Sequence, residues 1–255
     1  MKPSRYDVIE LRRYTVADGA RQQFSRCFES WFPEAFQQLG AMVFGHFLER
    51  ERADHFTWLR GFRDMDAHAA VKQQFYAGPV WAEHRAVINQ MILDSDNVLL
   101  LRPLHADSDL APLAAVDPVA EPLGAQGVVV AQILKLAGGR AAQATRAAEA
   151  CFQRYHGHGV VEAAILVTLD EPNNYPQHPV RSDGNYLVWL GVLRDDAALD
   201  ALRPQMGVAG VELAAAGLLD GAAELLVLDP GRRSRLRWMP AQVAATRPLA
   251  AALSD

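Results

Sequence analysis

Residues 57–65 read TWLRGFRDM, and residues 188–196 read VWLGVLRDD. Residues 17–19 (ADG) and 137–139 (AGG) form a second corresponding pair at an offset of 120 positions. Self-similarity between two halves of a chain is typical of a duplicated unit. In the first pair, four residues are identical at one offset of 131: Trp58 with Trp189, Leu59 with Leu190, Arg63 with Arg194 and Asp64 with Asp195.

The periodicity around these stretches predicts the same order of elements twice: strand, helix, strand, strand, helix, strand. That order is the ferredoxin-like βαββαβ arrangement, which places the chain in the α+β class. We expect a first ferredoxin-like unit over residues 1–104 and a second over residues 127–240. Residues 105–126 contain several X-Pro steps and no sustained period, which predicts an extended linker. Residues 241–255 are left as a C-terminal tail.

A single unit of this kind covers one face of its sheet with helices and leaves the other face bare. An exposed apolar sheet face needs a partner in water. We therefore expect the two tandem units to pack sheet to sheet, as an intrachain dimeric α/β-barrel with its helices outside.

Length and charge narrow the class of protein. The 255 residues carry a net charge of −5, which argues against general nucleic-acid binding. No apolar run approaches the roughly 20 residues that span a bilayer, so we expect no membrane span and a cytoplasmic location. His156 and His158 lie in a Gly-rich turn with no carboxylate or Cys nearby in sequence, so no metal site is predicted.

The stretch YDVIELRRY, residues 6–14, alternates two kinds of side chain. Ile9 and Leu11 form the purely apolar side, which we expect to meet the helices. Glu10, Arg12 and Tyr14 would then point into the barrel interior.

Strand 54–62 places Trp58 and Arg60 on one side, which we expect to point inward as well. The matching inward residues of the second half include Trp189 and are mostly apolar. A polar wall opposite an apolar wall is typical of a small-molecule pocket. The alternative is a network in which Glu10, Arg12 and Arg60 only satisfy one another at an open barrel mouth.

These residue types suggest roles in binding a small, partly aromatic anion. Arg12 and Arg60 would hold its negative charge. Trp58 and Trp189 would stack on it, and Tyr14 would complete the substrate-binding set.

Proton transfer has two candidates. Glu10 would act as an acid or base if burial raised its pKa. His46 is a weaker alternative, because the pattern of residues 41–50 leaves open which face points into the barrel.

Several ordered stretches resemble the NIPSNAP family. The first half carries Tyr6 and IELRRY (9–14), followed by GHFLER (45–50) and TWLRGFRDM. The same set continues with GPVWAEHR (78–85), DNVLLLRP (96–103), NYP (174–176) and PVR (179–181). The resemblance implies the dimeric α/β-barrel superfamily, whose members include cofactor-independent monooxygenases, lactone isomerases and haem-handling enzymes. NIPSNAP proteins themselves have no settled activity and are mainly discussed as interaction proteins.

Two functions follow as hypotheses. The first is binding of a small aromatic or anionic molecule inside the barrel, with cofactor-independent monooxygenase or isomerase chemistry. The second is a non-catalytic protein-interaction module whose barrel is filled by its own side chains. No cofactor is predicted, although haem and flavin are left open, as is a homodimer through the outer surfaces.

Overall fold

A computed structural model describes residues 6–240. The first half of the chain contains four strands and three helices, in the order β1 Val8–Val16, α1 Arg21–Gln38, β2 Met42–Glu49, β3 His55–Phe62, α2 Met65–Ala77, α3 Pro79–Met91 and β4 Ile92–Pro103.

The second half contains four strands and two helices, in the order β5 Val128–Leu136, α4 Ala141–Phe152, β6 Val160–Thr168, β7 Asn185–Leu193, α5 Asp196–Ala215 and β8 Glu224–Pro230. Within the described residues, no helix is long and apolar enough to cross a membrane.

All eight strands close into one antiparallel barrel, in the order β1-β3-β2-β8-β5-β7-β6-β4. The halves meet along two seams. Phe47 of β2 faces Pro230 of β8, and Leu101 of β4 faces Thr168 of β6. The expectation of a mixed α/β fold with a closed barrel and outer helices is confirmed.

The barrel interior is apolar and is built from both halves. Ile9, Leu11 and Leu59 belong to one buried cluster with residues of all the other strands, including Val188 and Leu190. The expected orientation of the strands is therefore wrong: Ile9 and Leu11 point into the barrel, not toward the helices. Water is excluded where the two halves meet, so a charged side chain there would lose its hydration.

The helix-facing side of the first half holds the opposite set of side chains. Tyr14 and Trp58 belong to a buried cluster with aromatic residues of α1 and α2. Glu10, Arg12 and Arg60, which alternate with the barrel-facing residues of β1 and β3, share that side and are at most 2% exposed. All three, with Tyr14 and Trp58, were expected in the barrel interior, and they lie between the sheet and the helices instead.

Helix α1 runs through Pro33 to Gln38, although a proline inside a helix removes one backbone hydrogen bond. The carbonyl left without its donor is that of Glu29, four residues earlier. Arg233 replaces the lost donor, with Nη1 2.9 Å from that carbonyl oxygen. A long-range contact therefore supports a helix that local sequence rules would end early.

The segment 105–126 contains no helix or strand. It nevertheless packs on the barrel: Leu110 is buried in the interior cluster, and Ser108 Oγ donates to the carbonyl of Ile165 at 3.1 Å. The tail expected over residues 241–255 lies outside the described residues.

Candidate functional site

A carboxylate lies at the centre of the helix-facing side of β1. Glu10 is fully buried, and its Oε2 accepts from Arg12 Nη1 at 2.9 Å and from Arg60 Nε at 2.7 Å. Glu10 and Arg60 face each other across the β1–β3 pair, and Arg12 is two residues along the same strand. The strand period of two therefore places all three on one face.

Helix α2 supplies the partners of the other oxygen. Lys72 Nζ and His68 Nε2 each lie 2.8 Å from Glu10 Oε1. Residues four apart lie on the same side of a helix, so His68 and Lys72 reach the carboxylate together. Both side chains are fully buried. The Asp64 side chain caps this helix by accepting from the amide of Ala67 at 2.8 Å.

The four partners hold Glu10 in its ionised form. Burial alone would raise its pKa, but Arg60, Arg12, His68 and Lys72 outweigh burial and keep the pKa well below the usual value. Burial, opposed by Glu10, also lowers the pKa of Lys72 to about 8, so this side chain is charged at neutral pH.

Positive charge exceeds negative charge in this cluster. Glu10 supplies one negative charge, whereas Arg12, Arg60 and Lys72 supply three positive ones, all at most 2% exposed. The guanidinium of Arg60 lies over three aromatic rings, with its carbon 4.8 Å from the centre of Trp58. Its Nη2 lies 2.6 Å from Glu10 Oε2 and pairs with that carboxylate, whereas its Nη1 has no acceptor among the described residues. Buried charge normally requires a partner, so this site favours an additional anion.

An aromatic cavity of about 280 Å³ adjoins the cluster. It lies between the sheet and helices α1, α2 and α3. Arg12 and Tyr14 form part of its floor, where Arg12 Nε donates to the Tyr14 hydroxyl at 2.9 Å. The aromatic part of its lining comprises Phe24, Phe28, Phe32, Phe36, Trp58, Phe75, Tyr76 and Trp81.

Two buried nitrogens at this cavity have no hydrogen-bond partner among residues 6–240, the part of the chain that the structure describes. They are Nε1 of Trp58 and Nδ1 of His178. Burial, with the nearby charges of Arg12, Lys72 and Arg60, lowers the pKa of His178 to about 3, so its imidazole is neutral. An unsatisfied buried polar atom is costly. A bound molecule with polar groups would relieve that cost at both positions.

The second half supplies the cap of this cavity. Gln177, His178 and Pro179 line it, although they follow β6 in the chain. Asn174 fastens the segment to α2: its Nδ2 donates to the Met65 carbonyl at 2.6 Å, and its Oδ1 is 2.6 Å from His68 Nδ1. One side chain thus links the cap to the Glu10 cluster.

The residues expected to form the site separate into two groups. Arg12, Tyr14 and Trp58 line the cavity. Glu10 and Arg60 lie behind this lining, in the ion cluster. Each Glu10 oxygen already has two nitrogen partners, and the pKa of Glu10 is lowered, so the condition set for its role as an acid or base, a raised pKa, is not met.

The remaining two expected residues lie elsewhere. His46 faces the helix side, where its Nε2 is 2.8 Å from Ser25 Oγ, and burial with Arg233 lowers its pKa to about 3. It is absent from the cavity lining. Trp189 lies under α4 in the second half, 4.9 Å from the ring of Tyr155. Trp58 and Trp189 therefore do not face each other across one ligand.

In the second half, the position that corresponds to the Glu10–Arg60 pair is occupied by an indole ring. Val130 and Gly191, paired across β5 and β7, stand where Glu10 and Arg60 are paired in the first half. A Cβ at Gly191 would come within 2.3 Å of the Trp189 ring, so this indole occupies the space of the missing arginine.

Sequence reasoning missed four residues of the site: His68, Lys72, Tyr76 and His178. Spacing could have shown two of them, because His68 and Lys72 lie with Phe75 at positions i, i+4 and i+7 of a predicted helix. His178 has no such signal, since only the tertiary fold brings its segment to the first half.

No protein-family model matches the chain, and no curated protein matches it. Solved structures match it over nearly its whole length. A monooxygenase-like protein of Fusobacterium nucleatum has a TM-score of 0.60 and 10% identity, covering 92% of this chain and 97% of its own. An anthrone oxidase-like protein has a TM-score of 0.57 and 11% identity, covering 88% and 91%. At these identities the similarity shows that the fold is shared, and it shows nothing about activity.

NIPSNAP-domain structures also match, over a smaller part of the chain. One from Burkholderia xenovorans has 17% identity and a TM-score of 0.36, and it covers 39% of this chain and 96% of its own. The matches that cover most of the chain are to monooxygenase-like proteins, and a TM-score this low carries no argument for the NIPSNAP family.

Proposed function

We propose that the protein binds a small aromatic anion in the cavity between the first-half sheet and helices α1 to α3. The observation that carries this proposal is the excess of buried positive charge beside an aromatic lining. Arg12 belongs to both features, since it lines the cavity and contacts Glu10. This places the ligand outside the barrel interior, on the other side of the strands from where the alternation predicted it.

We further propose that the reaction, if the ligand is turned over, is a cofactor-independent oxygenation or isomerisation. Both reactions proceed more easily when an enolate or phenolate form of the substrate is stabilised. Preorganised buried cations supply such stabilisation in a site shielded from water. Glu10 serves this role indirectly, by positioning Arg12, Arg60 and Lys72. The fold shared with monooxygenase-like and anthrone oxidase-like proteins supports this choice of chemistry.

We also propose that the two halves are copies of one ferredoxin-like unit related to the NIPSNAP domain. Support comes from the sheets: read in one direction around the barrel, β4-β1-β3-β2 in the first half and β8-β5-β7-β6 in the second have the same order of equivalent strands. The registers agree as well. Arg12 faces Trp58 in one half, and Gln132 faces Trp189 in the other.

The binding proposal is tested by calorimetry with two matched probes, 2-naphthoate and the neutral 2-naphthalenemethanol. We expect the protein to bind the anion and to bind the alcohol at least 10-fold more weakly. Replacing Arg12 by Gln should weaken naphthoate binding by about 10- to 100-fold, because a charge-assisted hydrogen bond contributes about 1.5–3 kcal/mol.

Arg26→Gln is the matched control, since Arg26 lies on the exposed side of α1 and its loss changes net charge equally. Equal binding of the two probes, or equal effects of R12Q and R26Q, would contradict the proposal.

One observation favours the second candidate, an interaction module. The barrel interior is filled by its own apolar side chains, and helix α5 exposes Val208 and Val211, at 46% and 70%. A homodimer through this outer surface is the assembly we propose under that candidate. Light scattering of Val211→Asp would test it: a dimeric wild type and a monomeric variant would support the dimer, and equal masses would contradict it.

A further inference from the structure

The cap over the cavity is a folded turn with fixed ends. Inside it, Asn173 Nδ2 donates to the carbonyl of His178 at 2.9 Å, and Asn173 Oδ1 accepts from the amide of Tyr175 at 3.0 Å. At its end, the amide of Arg181 donates to the carbonyl of Val98 at 2.8 Å. Together with the contacts of Asn174 to α2, these bonds hold residues 173–181 over the first half.

This turn presents one imidazole to the cavity. The ring of His178 packs edge-on against Tyr76, with 4.1 Å between ring centres. Its backbone is held on both sides, because its amide also lies 3.1 Å from the Tyr175 carbonyl. The ring is therefore positioned, yet its buried Nδ1 has no hydrogen-bond partner within the described part of the chain.

The charges around His178 define what it can bind. Arg12, Arg60, Lys72 and Glu10 all act on it, and their sum is positive. Its other neighbours, Tyr76 and Tyr175, are aromatic. The imidazole is neutral in these surroundings, so it offers one donor and one acceptor. A hydroxyl group can satisfy either ring nitrogen, whereas an aromatic C–H edge can satisfy neither.

We infer that His178 determines ligand specificity by hydrogen bonding to a hydroxyl group of the bound aromatic anion. The ligand would then be a hydroxylated aromatic carboxylate or a compound of equivalent chemistry. Its anionic oxygens meet Arg12 and the free Nε1 of Trp58, which face each other on neighbouring strands. Its hydroxyl meets the imidazole of the cap. This inference rests on the proposed binding function. It adds that the second half, through His178, recognises a hydroxyl group of the ligand.

Calorimetry with 2-naphthoate, 3-hydroxy-2-naphthoate and 6-hydroxy-2-naphthoate tests it. We expect the better hydroxylated probe to bind the wild type about 10-fold more tightly than 2-naphthoate, since an unpaired buried nitrogen gains a partner. His178→Phe should abolish this preference, so that the three probes bind the variant with affinities within about 2-fold of one another. His178→Asn, which keeps a polar group near the position of Nδ1, should retain most of the preference.

His156→Phe is the control, because His156 lies in an exposed turn of the second half and is 51% exposed. An equal loss of affinity for all three probes in H178F would indicate a structural role and overturn the inference. The inference would also be overturned if the wild type bound 2-naphthoate in an Arg12-dependent way but bound neither hydroxylated probe more tightly. A wild type that binds none of the three probes contradicts the proposed function itself, and the two failures are thereby distinguished.

Discussion

The pKa of Lys72 is set by burial and by the charged side chains around it. Its ammonium group is fully buried and touches Glu10 Oε1 at 2.8 Å. Burial favours the neutral amine, and the carboxylate opposes that effect only in part, because Arg60 and Arg12 repel the charge. The result is a pKa near 8, well below that of an exposed lysine.

We predict that affinity for 2-naphthoate falls as pH rises through about 8. Below this pH Lys72 is protonated and adds to the positive field at the cavity. Above it Lys72 is neutral, while the naphthoate stays ionised, so attraction is lost. Calorimetry at pH 6.5 and 9.5 should show about a 3- to 10-fold decrease, of the order expected for one partly shielded charge.

Lys72→Met serves as the comparison for this pH effect. The variant should bind 2-naphthoate with nearly the same affinity at both pH values. A pH dependence as steep in K72M as in the wild type would assign the titration to another group and refute the role of Lys72.

Strands β3 and β7 carry very different residues at equivalent positions. Arg60 on β3 extends into the ion cluster, while Gly191 on β7 leaves room for the Trp189 ring. That ring is held by its Nε1, which donates to Glu162 at 2.8 Å. Two strands with equivalent registers thus build an ion site in one half and a packed core in the other.

We predict that Gly191→Ala destabilises the protein by about 1–3 kcal/mol, the usual cost of overpacking a core. The added Cβ would come within 2.3 Å of the Trp189 ring, which cannot move without disturbing its neighbours. Urea unfolding measures the change. Gly207→Ala is the control, because a Cβ there meets nothing within 4 Å, and alanine in a helix should add about 0.5–1 kcal/mol. Equal unfolding free energies for G191A and the wild type would contradict the prediction.

The whole molecule depends on one interior shared by both halves. Its buried cluster includes Leu11 and Leu59 from the first half, with Val188 and Leu190 from the second. The cap adds a second connection, from Asn174 to Met65 and His68. Neither half can open without exposing apolar surface of the other, so the two should behave as one cooperative unit.

We predict that Leu190→Ala lowers the stability of both halves by the same amount, about 2–5 kcal/mol. Native-state hydrogen exchange would measure it, since the amides of β1 and β5 report on opposite halves. Protection should decrease equally in both strands. A loss confined to β5, with β1 unchanged, would show that the halves unfold separately and would contradict the shared core.

Local sequence patterns were sufficient to predict the helices and strands and their order along the chain. Asp64 caps α2, Asp195 caps α5, and Pro79 begins α3, each as helix-terminus rules predict. The same rules failed at Pro33, where the missing hydrogen bond is replaced by Arg233 from the far end of the chain. Rules of this kind describe neighbours in sequence and contain no information about such a distant partner.

The sequence by itself was sufficient to predict the closed barrel. A sheet with helices on one face leaves its other apolar face uncovered, and few arrangements other than packing against a second sheet bury that face. The sequence also indicated Glu10, Arg12, Tyr14, Trp58 and Arg60 as one face of two strands. Only the tertiary structure decided which way that face points. Every residue of β3 is buried, so alternation distinguishes two sides without saying which one meets the helices. His178 reaches the cavity only by folding of the second half onto the first, which no local pattern encodes.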